Sequence, residues 1–119
     1  MALKITMKPG DFIYLGTSKV TVLSTESIRL AVEGTLPVLR EPDYVELGDH
    51  PTMARRVYVL LQDIYMGNEF KARQAEYKSA ADALVSQDQR YQFAVDAIDN
   101  WLTQSQWYKA LKAARQLLD

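Results

Sequence analysis

Apolar and polar residues alternate in short stretches over the first 40 positions. In the first stretch, apolar residues at positions 3, 5 and 7 alternate with polar residues at positions 4, 6 and 8. This period of two places the two sets on opposite faces of a strand. Four more short apolar stretches follow, separated by turn residues, at positions 12–15, 19–23, 28–32 and 38–40. The spacing predicts five short strands in an antiparallel sheet or small barrel.

The period changes to a helical one after Asp49. Asp49 or Thr52 can cap a first helix through a side-chain oxygen, with Pro51 in its first turn. Apolar residues then recur at three- and four-residue steps until Gly67, which suits a left-handed helix end. This stretch predicts an amphipathic helix.

Three further helices are predicted in the remaining sequence. The second begins at Asn68, and Ser86 with Gln89 forms a candidate capping box for the third. Ser105 is the candidate cap of the fourth. The loops between these segments are short, which favours antiparallel packing of neighbouring helices.

The predicted fold class is therefore α+β. A β-rich module of about five strands covers residues 1–46, and a bundle of about four helices covers residues 49–119. Residues 42–50 form the candidate hinge.

Composition narrows the class of protein. The chain has 119 residues, 48% of them hydrophobic, which is enough for a packed core. It has no cysteine, so disulfides and thiolate metal sites are excluded. We find no signal-peptide pattern at the N-terminus and no stretch long enough to span a membrane, so we expect a cytoplasmic protein without membrane contacts. The net charge of −1 means that any nucleic-acid site must be a local patch.

The sequence offers no catalytic constellation. His50 is the only histidine, so no histidine metal cluster or catalytic triad can form within one chain. Asp96 and Asp99 can share a helix face, but without a third ligand they fit a solvated surface better than a metal site. We therefore expect a protein that is not an enzyme and needs no cofactor or metal.

Arginines are the strongest candidates for recognition. Arg40 ends the last predicted strand, where it can reach a phosphate or a guanine edge, or else form an ion pair with a residue such as Glu33. Arg55 and Arg56 lie in the first turn of a helix, where the helix dipole disfavours cations. That placement suggests a binding role, and the alternative is pairing with nearby acids such as Asp49 and Asp63.

The aromatic residues allow two interpretations. Phe12 and Tyr14 share one strand face, where they can stack on bases or pack into the core. The helical half carries aromatics at helical spacing, which are usually core residues but also suit a protein interface. The candidate partner-binding residues are Tyr58, Tyr65, Trp101 and Trp107.

Four segments resemble the FlbT family in order along the chain: MKPGD, PVLREPDY, MARRVYVLLQDIYMG and QWYKALKAARQLLD. The resemblance implies a bacterial regulator of flagellum biogenesis that acts after transcription. It implies association with the 5′ untranslated region of flagellin mRNA and control of its translation or stability. It also implies that flagellin and the small protein FlaF belong to the same circuit.

The first 45 residues also resemble the RNA-binding regulator CsrA, through LKITMKPGDFIYLG, KVTVL, SIRLAV and PVLREPDY. That family forms an interlocked dimer, so a homodimer through the β-module is implied. An arginine after its last strand contacts RNA, and Arg40 matches that position. Basic residues on its first strand also contact RNA, but Thr6 and Met7 stand where a paired arginine is expected, leaving only Lys4 and Lys8 as cations.

Two functional hypotheses remain. In the first, the chain binds flagellin leader RNA with Lys4, Lys8 and Arg40, which would meet where the first and last strands form an edge. Arg55 and Arg56 would supply a second patch. In the second, the chain is an adaptor or chaperone-like partner of flagellin or FlaF that uses an apolar helical groove and affects RNA only indirectly.

Overall fold

A computed structural model describes residues 2–67 and 70–118 of the chain. It divides into two compact units, Met1–Tyr44 and Val45–Asp119. In the described part of the chain the first unit contains five antiparallel strands and the second contains four α-helices, which confirms the predicted α+β class. The strands are β1 (Leu3–Met7), β2 (Phe12–Leu15), β3 (Ser18–Thr21), β4 (Ile28–Val32) and β5 (Val38–Arg40).

The five strands form two separate sheets. β1 pairs with β4 in a two-stranded ribbon, and β2 lies between β3 and β5 in a three-stranded sheet. The predicted alternation of β1 is confirmed from Lys4 to Met7, because Ile5 and Met7 are each only 4% exposed while Lys4 and Thr6 are exposed. Leu3, at the start of the strand, is 43% exposed and departs from the prediction. A two-stranded ribbon is marginal by itself, so its stability depends on an apolar face. That face packs in a core made of Ile5, Met7, Ile13 and Val22, with Ile28, Leu30, Val32 and Val38 around it.

The turn after β1 follows from its sequence. Gly10 has a φ of +85°, a left-handed conformation that costs glycine little because it has no Cβ. Its N–H donates to the carbonyl of Val22, and the N–H of Val22 donates to the carbonyl of Asp11. These two bonds hold the turn against the end of β3 and bring β2 into its antiparallel register.

The helices of the second unit are α1 (Met53–Gly67), α2 (Phe70–Gln87), α3 (Gln92–Thr103) and α4 (Trp107–Ala114), with 3₁₀ turns at Gln89–Tyr91 and Arg115–Leu118. Thr52 caps α1, because its Oγ1 accepts a hydrogen bond from the N–H of Arg55 at 3.1 Å. Pro51 lies before the cap rather than in the first turn. The predicted start of the second helix at Asn68 falls outside the described residues.

Two predicted caps are wrong. Ser86 lies inside α2, and the following turn is capped instead by Asp88, whose Oδ1 accepts from the N–H of Arg90. Ser105 does not start α4 but ends α3. It adopts a left-handed φ of 56°, and its N–H donates to the carbonyl of Leu102, while the N–H of Gln106 donates to the carbonyl of Trp101. This bond pattern is a Schellman motif, which satisfies the last carbonyls of a helix.

The helical core lies around α1. Val57, Leu61 and Ile64 recur at helical spacing and are at most 1% exposed. Gln62 is a buried polar residue on this helix, 2% exposed, and its amide makes two hydrogen bonds to the backbone of Val45, one to the N–H and one to the carbonyl. Gln62 therefore ties the start of this unit to its central helix.

Candidate nucleic-acid interface

The outer face of the β1–β4 ribbon carries two cations. The register places Thr6 opposite Arg29 and Lys4 opposite Ala31, so Lys4 and Arg29 are diagonal neighbours on the same face. Both side chains are exposed, and they line a shallow depression of about 300 Å³. We call the residues Lys4, Thr6, Arg29 and Ala31 the cationic ribbon face.

Lys8 lies in the turn that follows β1. Its N–H donates to Oδ2 of Asp11 at 3.0 Å, and the N–H of Asp11 donates back to the carbonyl of Lys8. The backbone of Lys8 is thereby held, while its side chain is exposed. Lys8 therefore adds a second exposed cation, in the turn that follows β1.

Arg40 ends β5, opposite Ile13 of β2. It lines a depression of about 370 Å³ together with Thr6 of β1, but Lys4 does not line that depression. The last strand belongs to a different sheet from β1, so the first and last strands do not form one hydrogen-bonded edge. The structure thus brings Lys4 together with Arg29 on one face and sets Arg40 in a separate depression.

Three acidic residues share the depression of Arg40. Asp11 and Glu41 are engaged by the backbone, since Glu41 Oε1 accepts from the N–H of Phe12 at 3.1 Å and Asp11 accepts from Lys8. Asp43 also lines it. Arg40 forms no ion pair with any residue that the structure describes, so the alternative pairing with Glu33 is not observed. The guanidinium is therefore available beside carboxylates that repel phosphate.

Arg55 and Arg56 lie in the second unit. Arg55 Nη1 donates to the carbonyl of Glu46 at 3.2 Å, and both arginines are exposed. Asp63 forms its salt bridge with Arg73, at 3.9 Å, rather than with either arginine. Within the described ranges Arg55 and Arg56 form no ion pair, so the pairing alternative is not observed for them either.

Phe12 and Tyr14 belong to an aromatic cluster outside the apolar core of their unit. Tyr14 stacks on Tyr44 with ring centroids 4.7 Å apart, and Phe12 meets both rings edge-on. Lys19 Nζ lies 4.4 Å from the centroid of the Phe12 ring, a cation–π distance. These partly buried rings are already packed against one another, so any base would have to stack on the edge of the cluster.

The predicted partner-binding aromatics fall into two groups. Tyr58 is 2% exposed and belongs to the core, because it lies on the buried face of α1. The other three lie at least partly at the surface in ring contacts: Tyr65 with Tyr108 at 5.3 Å, Trp107 with Phe70 at 5.0 Å, and Trp101 beneath Lys109 Nζ at 4.8 Å.

The paired carboxylates of α3 have different hydrogen-bond partners. Asp99 Oδ1 accepts from the hydroxyl of Tyr77 at 2.8 Å, and Asp96 Oδ1 accepts from the amide of Gln92 at 2.7 Å. The pKa of Asp99 is raised, first by desolvation and then by the neighbouring Asp96 and Asp82. Burial, followed by the hydrogen bond to Asp99, raises the pKa of Tyr77 far above its usual value. Asp99 thus joins α3 to α2 and Asp96 bonds within α3, and the two carboxylates together add negative charge to this surface.

Arg29 and Lys19 are not singled out by the sequence alone. Arg29 occupies a polar position in the alternating stretch IRLAV, which marks it as exposed but does not say which residues lie opposite. Only the strand register places it beside Lys4.

No helix in the described part of the chain is long and apolar enough to cross a membrane.

These features define a small α+β protein in which a strand module, whose exposed cations form no ion pair with a described residue, is followed in the sequence by a helical unit. The family model of "Flagellar protein FlbT" matches residues 3–119, and the chain belongs to the FlbT family. A "Probable flagellum biosynthesis repressor protein FlbT" of Rhodopseudomonas palustris (strain TIE-1) is 29% identical over 118 residues, covering 99% of this chain and 93% of the relative.

Two further relatives carry the same family name. "Probable flagellum biosynthesis repressor protein FlbT 1" of Bradyrhizobium diazoefficiens is 30% identical, covering 99% of this chain and 81% of the relative. The corresponding protein of Caulobacter sp. (strain K31) is 27% identical, covering 100% of this chain and 92% of the relative. No solved structure matches the chain. The names of these relatives place the chain in a family of regulators of flagellum biogenesis.

Proposed function

We propose that this chain regulates flagellum biogenesis after transcription by binding the 5′ untranslated region of flagellin mRNA through its strand module. Binding there would control translation or stability of the message. Family membership supports the flagellar role, and the cationic ribbon face supports the choice of RNA as the ligand.

The observation that carries the proposal is that four cations of this module form no ion pair with a residue that the structure describes. Residues 1–44 contain five Lys or Arg and five Asp or Glu, so net charge draws no RNA to the module. Yet Lys4, Lys8, Arg29 and Arg40 form no ion pair with any described residue, whereas Arg73 and Arg90 of the helical unit do. Unpaired surface cations can release counterions when they meet phosphates, which is the main source of affinity for RNA.

The cations have different roles in this proposal. Lys4 and Arg29 lie on an open face without an acidic residue lining their depression, so they suit phosphates. Arg40 lies among Asp11, Glu41 and Asp43, which repel a phosphate. Its guanidinium therefore suits a base edge, and guanine presents the O6 and N7 acceptors that an arginine binds with two hydrogen bonds.

The test is the affinity of purified full-length protein for flagellin leader RNA, measured by fluorescence anisotropy over a range of salt concentrations. We expect Lys4→Ala and Arg29→Ala each to reduce the salt slope by about 1, and Arg40→Ala to cost about 1–3 kcal/mol with some loss of sequence preference. Lys71→Ala, which removes an exposed cation from α2, is the matched control and should change little.

Flagellin protein, added as a competitor of the leader RNA, distinguishes direct RNA binding from an adaptor role. If folded Lys4→Ala/Arg29→Ala and Arg40→Ala variants bind the leader as tightly as the parent, the proposed interface is wrong. If the parent binds flagellin or FlaF but not the RNA, the chain is an adaptor and the RNA effect is indirect.

A further inference from the structure

A groove separates α2 from α3, although these helices are neighbours in the sequence. The two helices make few direct contacts, since α2 packs mainly on α1 and α3 mainly on α4. The groove has a volume of about 670 Å³. Its floor consists of four buried side chains, each at most 5% exposed: Tyr77, Ala81, Val95 and Leu102. We call this feature the α2–α3 groove.

The α2–α3 groove is apolar along its floor and at one end. The rings of Phe70 and Trp107 lie 5.0 Å apart and both line the groove. A floor of this kind offers contact area to apolar side chains, as grooves between helices do when they receive an amphipathic helix.

The walls of the groove carry a negative field. Asp82 projects from α2 and Asp99 from α3, both lining the groove. Asp96, outside the groove lining, and Asp82 both raise the pKa of Asp99, whereas Lys78, which also lines the groove, opposes them. The described lining therefore carries two carboxylates and one ammonium group. None of Asp82, Asp96 and Asp99 forms an ion pair with a described residue. An apolar floor between unpaired carboxylates complements an apolar ligand that also carries positive charge.

We propose that the α2–α3 groove docks an amphipathic helix of another protein, with its apolar side chains on the floor and a lysine or arginine between Asp82 and Asp99. The cation would pair with carboxylates that form no ion pair with a described residue and that outnumber Lys78, the one cation among the described residues lining the groove. This site is independent of the proposed RNA interface, which lies in the other compact unit.

A second copy of the chain fits the groove less well than a different protein. In a second copy, α4 could offer the exposed lysines Lys109 and Lys112 to the groove. Each of them already lies over an aromatic ring of its own chain, Lys109 over Trp101 at 4.8 Å and Lys112 over Tyr108 at 5.9 Å. A contact between α4 of one copy and the groove of the next would also join unlike surfaces. Such contacts build open chains of subunits unless they close into a ring.

The experiment uses a phage-displayed library of 14-residue helical peptides, randomised at exposed and apolar positions and selected on the full-length protein. We expect enriched peptides to have apolar residues at helical spacing and at least one lysine or arginine. Selected peptides, synthesised and measured by fluorescence anisotropy, should bind at least 10-fold more weakly to the Asp82→Asn/Asp99→Asn variant. Asparagine at position 99 keeps an oxygen that can accept from the hydroxyl of Tyr77.

Matched tryptophan substitutions on α2 locate the binding surface. Gln74 is exposed and lines the groove, so Gln74→Trp should block binding, while Ala75→Trp adds the same ring at an exposed position outside the groove and should not. Circular dichroism confirms that each variant is folded. The proposal is overturned if no peptide is enriched or if the enriched peptides lack basic residues. It is also overturned if neither Gln74→Trp nor Asp82→Asn/Asp99→Asn weakens the affinity of the selected peptides. Peptides that instead drive self-association of the chain would also overturn it.

Discussion

The hydroxyl of Tyr77 on α2 donates a 2.8 Å hydrogen bond to Oδ1 of Asp99 on α3. The two residues are 22 positions apart, and their bond joins α2 to α3 at the floor of the groove, where the helices otherwise make few contacts. It therefore sets the position of one wall of the groove relative to the other. Because Tyr77 is 4% exposed and Asp99 is exposed, the bond also joins the buried floor to the charged rim.

Removing this hydrogen bond should loosen the helical unit. Tyr77→Phe keeps the ring in the core but leaves Asp99 without its donor, and we expect a loss of about 1–2 kcal/mol in the free energy of unfolding. Urea denaturation followed by circular dichroism measures it. Tyr91→Phe removes a phenol hydroxyl from the 3₁₀ turn between α2 and α3 and is the control. Equal stability of Tyr77→Phe and the parent would show that the bond contributes nothing.

The same bond predicts a pH dependence. The pKa of Tyr77 is raised by burial and by the hydrogen bond to Asp99, whereas the unfolded chain ionises this phenol near its ordinary value of about 10. Above that pH the folded state binds more protons than the unfolded state, so stability falls as pH rises, by up to about 1.4 kcal/mol per pH unit. Urea midpoints measured between about pH 8 and 11 should fall more steeply for the parent than for Tyr77→Phe. If the urea midpoints of the two proteins fall in parallel with pH, the raised pKa of Tyr77 is contradicted.

Gln62 should be sensitive to substitution. Its amide bonds to the N–H and the carbonyl of Val45 at 2.9 and 2.8 Å from a position that is 2% exposed. Gln62→Leu removes both partners and should cost about 2–4 kcal/mol, because two partly buried backbone groups lose their hydrogen bonds. Gln62→Glu keeps an acceptor but loses the donor, so we also expect a large loss. Hydrogen exchange at the Val45 amide should accelerate in Gln62→Leu, and unchanged exchange would refute this role.

Ser105 offers a stabilising substitution. Its φ of 56° is costly for a residue with a Cβ, whereas glycine adopts it freely and is the preferred residue at this position of a Schellman motif. We expect Ser105→Gly to raise the free energy of unfolding by up to about 1 kcal/mol. The gain is limited because glycine also increases the conformational entropy of the unfolded chain. Ser86→Gly, in the last turn of α2, should instead lower it, because residue 86 is helical and glycine has a low helix propensity. A Ser105→Gly protein less stable than the parent would contradict the strain argument.

The strand module should support self-association. Among the described residues, β1 and β4 form a two-stranded ribbon and β3 is an outer strand of the other sheet, so each of these strands has one edge without a strand partner. Exposed edges can pair with another chain, and the resemblance to CsrA implies a dimer built from this module. We expect sedimentation equilibrium to give twice the chain mass of 13.6 kDa at micromolar concentration. A monomer mass throughout that range would rule out this dimer.

Local sequence patterns predict most of the secondary structure. The alternation in β1 and the three- and four-residue spacing in α1 are repeated signals, each resting on several apolar positions that must face a core. Caps depend on one or two residues, and serine suits both the start and the end of a helix. That is why the sequence predicts the wrong roles for Ser86 and Ser105 while it predicts the helices around them correctly.

The candidate interface is only partly predictable for a related reason. The sequence marks Lys4, Arg29 and Arg40 as polar positions on strands, but strand pairing decides which of them are neighbours. Since β1 pairs with β4 and β5 pairs with β2, Lys4 lies near Arg29, and Arg40 lies in another sheet among carboxylates.

The sequence by itself therefore determined the α+β class, the segments that form strands and helices, and the absence of cysteine chemistry, because each depends on the identity and spacing of nearby residues. The tertiary structure alone decided that Lys4 and Arg29 share a face, that Gln62 holds Val45, and that Tyr77 meets Asp99 at the floor of a groove. Each of these pairs is separated by 17 to 25 positions, and contacts at such separations follow from packing rather than from local preference.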